Sequence, residues 1–97
     1  MRWKQFLTPV NSVTVEEARE FMEGKKEGEY TLLDVRQPQE FRMGHIPGAK
    51  LIPVSDLTER QEELDREKPI VVYCAVGGRS RLAAQMLAGR GFENILT

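Results

Sequence analysis

A single cysteine, Cys74, is all the thiol chemistry this sequence has. One cysteine cannot close an internal disulfide, and secreted domains this small often depend on several. A cytoplasmic setting is therefore expected. Histidine is equally scarce: His45 stands alone, so no nitrogen and sulfur set exists for a structural zinc. No metal and no cofactor is expected. A basic excess is missing too, since the net charge is −1, which excludes the usual nucleic-acid binder. No apolar run approaches the ~18 residues of a membrane span, so no membrane partner is expected. "MRWKQFLTPV" has basic residues but no apolar stretch behind them, unlike a secretory signal. Repeats, low-complexity tracts and linkers are absent.

What remains is a 97-residue chain, 40% hydrophobic and 30% charged, ordinary for one small globular domain with a modest core. Thr14 followed by Glu17 is a capping-box pattern. Val15, Ala18, Phe21 and Met22 recur at helical spacing behind it, with Gly24 as a stop. Tyr30 to Val35, "YTLLDV", is short and apolar, which suits a strand buried on both faces. Two helical turns are expected from Pro38, then the turn-rich "GHIPGA" and a strand in "KLIPV". Ser55 is placed to cap "DLTERQEEL", where Leu57, Gln61 and Leu64 face one way. "PIVVYC" reads as another buried strand. A helix is expected from about Ser80 to near Gly91, its core face Leu82, Ala83, Met86 and Leu87, with a last strand in "ENILT". Strands alternating with helices predict an α/β domain with a parallel sheet covered on both faces. Sites in such sheets form at the carboxyl ends of strands, where Cys74 falls.

Free cysteine is among the most buried residue types, so an inert core thiol is the default reading. Three local features argue against it. Gly77 and Gly78 let the chain turn tightly, with backbone N–H groups pointing inward as an anion nest. The following helix adds the positive end of its dipole. Arg79 and Arg81 crowd a helix start that would ordinarily favour acids, and no acidic residue occurs from Pro69 to Phe92 in a chain carrying 15. A thiol there is expected to shift towards thiolate from about 8.5. The constellation is a cysteine nucleophile in an anion cradle.

The segments "LLDVRQPQEFRMGHIPGA" and "IVVYCAVGGRSRLAAQML" resemble the rhodanese-like (sulfurtransferase) domains over residues 12 to 97. Asp34-Val35-Arg36, Glu40-Phe41, Gly44 to Ala49, and Cys74 with Gly77, Arg79 and Ser80 carry the likeness. It implies a three-layer α/β/α domain with a five-stranded, mainly parallel sheet. One rhodanese-like domain is expected over residues 1–97, with residues 1–11 an N-terminal extension or edge strand. Members usually continue into a Gly-rich turn and a final helix. Here Thr97 stands where that begins, so a truncated domain or the front of a longer protein is expected, with part of the sheet uncovered. Ala75 and Val76 stand where many members have a basic or polar residue.

Cysteine-dependent phosphatases resemble this layout with one more residue between Cys and Arg. The shorter ring here, Ala75, Val76, Gly77 and Gly78, favours one sulfur atom over a phosphoryl group. The resemblance implies a sulfurtransferase in which Cys74 takes a sulfane sulfur from thiosulfate or a persulfide and passes it to cyanide or a thiol. The implied substrate-binding residues are Ala75, Val76, Gly77, Gly78, Arg79 and Ser80. Arg79 is expected to combine charge for an anionic donor with pairing to a carboxylate, weighted to the latter; Ser80 is expected to cap the helix. Asp34, Arg36 and Glu40 are expected to form an ion-pair network bracing the loops, and His45 to hold its turn by ring hydrogen bonds. The partners implied are a small-molecule sulfur donor, a thiol or cyanide acceptor, and a protein sulfur acceptor or fused domain. The alternatives are a sulfur-carrier or interaction module within a larger protein, and, behind it, a cysteine phosphatase. Trp3 and "MRWKQFL" are expected to dock on the domain edge or on a partner.

Overall fold

The structure, a computed structural model, describes residues 10–11, 14–26, 28–74 and 78–97, without the side chains of residues 10, 11 and 15. Ala75, Val76, Gly77 and the segment around Trp3 thus lie outside the described residues. The chain runs through β1 (Val10–Asn11), α1 (Val15–Glu23), β2 (Thr31–Asp34), α2 (Pro38–Met43), β3 (Lys50–Leu51), α3 (Leu57–Arg60), β4 (Ile70–Tyr73), α4 (Gly78–Ala88) and β5 (Ile95–Leu96). The five strands form one sheet in the order β1-β5-β4-β2-β3, with every neighbouring pair parallel. Residues 10 and 11 are thus an edge strand.

Strand alternation divides the core. Leu33, Ile70, Val72 and Ile95 point to one face, where they join Ile52, Leu57, Leu64, Ala83, Ala84, Leu87 and Phe92. Each of the larger side chains among them contributes about 1.5–3 kcal/mol on leaving water, which is what holds α4 and α3 against this face. Leu32 and Val71 have the opposite parity and face α1, with a groove of about 260 Å³ between them and Ala18, Met22 and Ile46. α1 begins as expected: Thr14 Oγ1 accepts the Glu17 N–H at 3.1 Å, and Glu17 Oε1 accepts the Thr14 N–H at 2.8 Å. Among the described residues, no helix is long and apolar enough to cross a membrane.

Three expectations are corrected. Ser55 caps nothing; it sits inside a 3-10 turn, Val54–Asp56, that follows Pro53, and α3 is a single turn followed by another 3-10 stretch. Leu57 and Leu64 are nevertheless buried, with Gln61 half-buried between them. Leu82 is not on the core face of α4 but 51% exposed. The buried stripe is Ser80, Ala83, Ala84 and Leu87, three of them small residues that let the helix approach the sheet closely. Ser80 is the third residue of α4 rather than its cap, because the helix starts at Gly78.

Chain direction creates the site. From β2 the chain moves to β3 on one side, and from β4 to β5 on the other. The connections part between β2 and β4, leaving a crevice at their carboxyl ends. Asp34 ends β2 and Tyr73 ends β4, followed at once by Cys74.

Candidate active site

Cys74 is half-buried, with its side chain packed against the edge of the core. Its sulfur accepts the backbone N–H of Ser80 at 3.3 Å. That amide belongs to the first turn of α4, whose N–H groups have no intrahelical acceptor. The helix therefore directs one of its free donors, and the positive end of its dipole, at the sulfur. Ser80 is itself buried, and its Oγ accepts a hydrogen bond from Thr97 Oγ1 at 3.1 Å, tying the turn to the end of β5.

Arg79 spans the crevice in a fork: Nη1 donates to Glu40 Oε1 at 2.7 Å and Nη2 to Oε2 at 3.0 Å. Bidentate geometry fixes a guanidinium in direction as well as charge. The Glu40 bonds, then burial opposing them, and then the Glu40 charge and the Cys74 sulfur hold Arg79 above its ordinary pKa. Arg79 thus faces both a carboxylate and the thiol, with the carboxylate dominant. Glu40 also accepts the Gln37 N–H at 2.9 Å and caps α2. Its bond from Arg79, and secondarily that from Gln37, lower its pKa to about 2.

Asp34 is fully buried beside it. Arg36 wraps back onto it, with Nη2 donating at 2.8 Å, Nε at 3.0 and 3.1 Å, and the Arg36 backbone N–H at 2.9 Å. Burial pushes the Asp34 carboxyl up, but the Arg36 bonds and a Tyr73 hydrogen bond outweigh it, and the net shift is downward. The expected network is therefore two separate pairs, Asp34–Arg36 and Glu40–Arg79. His45 Nδ1–H donates to the Phe41 carbonyl at 2.9 Å, and the ring stacks on Phe41 at 3.6 Å.

Gly78 opens α4 with an ordinary φ, and a Cβ built there meets no described atom within 4 Å. Two participants were missed from sequence. The Tyr73 hydroxyl bonds Asp34 and accepts the Ile46 N–H at 3.2 Å, while its ring lies under Arg36. The other is Thr97. Neither stands in a motif; only strand alternation at the end of β4 hinted at Tyr73.

Since the Glu40 and Arg79 side chains are each about one-third exposed, water screens their pair. Glu40→Gln is expected to cost little stability at pH 7. A lowered folded pKa means that this contribution is complete above 4.5 and is lost as pH falls towards 2. Denaturation of parent and variant across that range should show the gap narrowing on acidification; a constant gap would assign it to packing instead.

The model of the rhodanese-like domain matches residues 14–97. Uncharacterized protein YqhL of Bacillus subtilis is 43% identical over 76 residues, covering 78% of this chain and 59% of that protein. YrkF of the same organism, described as a candidate sulfur carrier protein, is 35% identical over 65 residues, 67% of this chain and 35% of its own. This chain thus spans about three-fifths and one-third of the length of these two relatives. The crystal structure of a rhodanese-related protein from Thermoplasma volcanium superposes with a TM-score of 0.77 at 36% identity, covering 89% of this chain and 80% of that one.

Proposed function

The chain belongs to the rhodanese-like domain family, related to sulfur transfer, and from that premise we propose that Cys74 carries a sulfane sulfur as a persulfide. The observation that carries this reading is the Ser80 N–H directed at the Cys74 sulfur from the start of α4, with Arg79 alongside. Fixed donors aimed where negative charge resides cost no reorganisation during reaction.

With thiosulfate as donor, the Cys74 thiolate attacks the outer sulfur. A new S–S bond forms, the old one breaks, and sulfite leaves with its electron pair. The product, Cys74–S–S⁻, keeps the negative charge near the helix start. Cyanide or a thiolate then attacks the terminal sulfur, forms thiocyanate or a new persulfide, and returns the Cys74 thiolate. Two half-reactions on one sulfur predict ping-pong kinetics. Loop residues Ala75, Val76, Gly77 and Gly78 are assigned to binding the transferred sulfur, and Asp34, Arg36, Glu40 and His45 to bracing the crevice. Residues 1–97 act as one rhodanese-like unit in the cytoplasm.

A second reading is a sulfur-carrier module of a larger protein. It is favoured by the name of YrkF and by the match extending over only 35% of that protein. Intact-mass measurement after incubation with thiosulfate tests both. A gain of about one sulfur atom, reversed by cyanide, supports persulfide chemistry. Fast turnover then marks the free-standing enzyme, and loading with slow turnover marks the carrier. An unchanged mass with every sulfane donor tried would sink both.

A further inference from the structure

No acid lies between Pro69 and Phe92 in the sequence, yet the fold brings acids to that segment from elsewhere. Asp34, at the end of β2, is bonded to the Tyr73 hydroxyl, and Glu40, on α2, holds Arg79. Asp56 stands exposed on the 3-10 turn that follows β3 and packs against α4. A stretch that is purely basic along the chain is countered by carboxylates in space.

Among the described residues, Arg36 and Arg79 bring guanidiniums to the crevice, and each is committed to a carboxylate. Arg36 closes on buried Asp34 and turns its Nη2 to the Gly44 carbonyl as well. Arg79 gives both terminal nitrogens to Glu40, at 2.7 and 3.0 Å, and faces the Cys74 sulfur only secondarily. Arg42 follows Glu40 by two positions on α2, and Arg81 follows Arg79 by two on α4, so each projects from the opposite side of its helix. The residues between Cys74 and Arg79 in the sequence carry no charge. The uncommitted positive field at the sulfur is then the start of α4, equivalent to roughly half an elementary charge.

That field suits a single anion. Thiosulfate is a dianion, so its approach to the Cys74 thiolate gathers more negative charge than this end of the sheet offsets. A thiosulfonate, R–SO2–S⁻, carries half that charge, and a persulfide, R–S–SH, carries none. Resting on the reading that Cys74 carries sulfur, we infer that Glu40 sets the donor class: by holding Arg79 it selects organic persulfides and thiosulfonates over thiosulfate. Glu40 touches no reacting atom and acts through Arg79. With a persulfide, the Cys74 thiolate attacks the outer sulfur and the S–S bond breaks. R–S⁻ leaves with the electron pair, and the proton stays on the transferred sulfur.

The test compares thiosulfate with methanethiosulfonate. Both yield their outer sulfur, releasing sulfite or methanesulfinate, and intact mass reads the rate at which each loads the chain. Intrinsic reactivities differ between the two, so the informative quantity is how a variant shifts the ratio of their rates. Glu40→Gln keeps an oxygen for the Gln37 N–H and removes only the charge. It is expected to raise the thiosulfate-to-methanethiosulfonate ratio about tenfold at low salt, a gain that shrinks above roughly 0.15 M. Adding Arg79→Gln to that variant should return the ratio to within about twofold of the parent's, because the gain needs the released guanidinium. A ratio unmoved or lowered by Glu40→Gln, or a gain that survives the loss of Arg79, would overturn the inference while loading by both donors keeps the proposed function. Failure of the native chain to load from either donor would remove the proposed function and this inference with it.

Discussion

A Cys74→Ser chain is expected to fold like its parent and to take up no sulfur. The attack on a sulfane sulfur needs a polarizable anion, and only the thiolate supplies one near neutral pH. Serine keeps an oxygen where the Ser80 N–H expects an acceptor, so the first turn of α4 loses little. The side chain is half-buried against the core, and losing that contact costs about 1 kcal/mol. Loading should fall by at least about three orders of magnitude, as when a nucleophile is removed from other covalent enzymes. Intact mass and denaturation, measured together, separate loss of chemistry from loss of fold. Residual loading at a few per cent of the parent would mean that the sulfur is carried elsewhere.

Much of the fold was legible because it follows from local periodicity. Leu32, Leu33, Ile70, Val71 and Val72 form continuous apolar runs, as strands covered on both faces must. The Thr14–Glu17 capping box is equally local, and it formed as spelled. Failures came where small residues did the packing. The stripe Ser80, Ala83, Ala84 and Leu87 buries one serine and two alanines, while the bulkier Leu82 points outward. A pattern weighted by hydrophobicity selects the wrong face of such a helix. The site divided similarly. Position at a strand end pointed to Cys74, and the four charged residues were nameable individually. The Glu40–Arg79 pairing was not, because these two are 39 positions apart and meet only once β2 and β4 lie side by side. The Tyr73 bonds depend on that same adjacency.

Arg36 is an exacting charge because the carboxylate it pairs with, Asp34, is fully buried. Arg36→Met is expected to destabilise the fold by about 3 kcal/mol at pH 7, because removing one member of a buried pair strands the other. Asp34 would remain fully buried, with the Tyr73 hydroxyl and a backbone N–H but no counter-charge. The pH dependence should change sign with it. In the parent, the folded Asp34 pKa lies below its ordinary 3.8. Its contribution is therefore complete above that value and is lost as pH falls through the lowered one. In the variant, burial dominates and raises the folded pKa. The penalty is then full at neutral pH and is relieved as the carboxyl takes up a proton on acidification. Urea denaturation at pH 7 and near pH 4 should show the two proteins converging at the lower pH. A gap of the same size at both would assign the loss to the packing of the Arg36 stem. Because Arg36 also holds the Gly44 carbonyl, the variant should loosen the turn carrying His45 and Ile46 even where stability recovers, visible as faster amide exchange at Ile46.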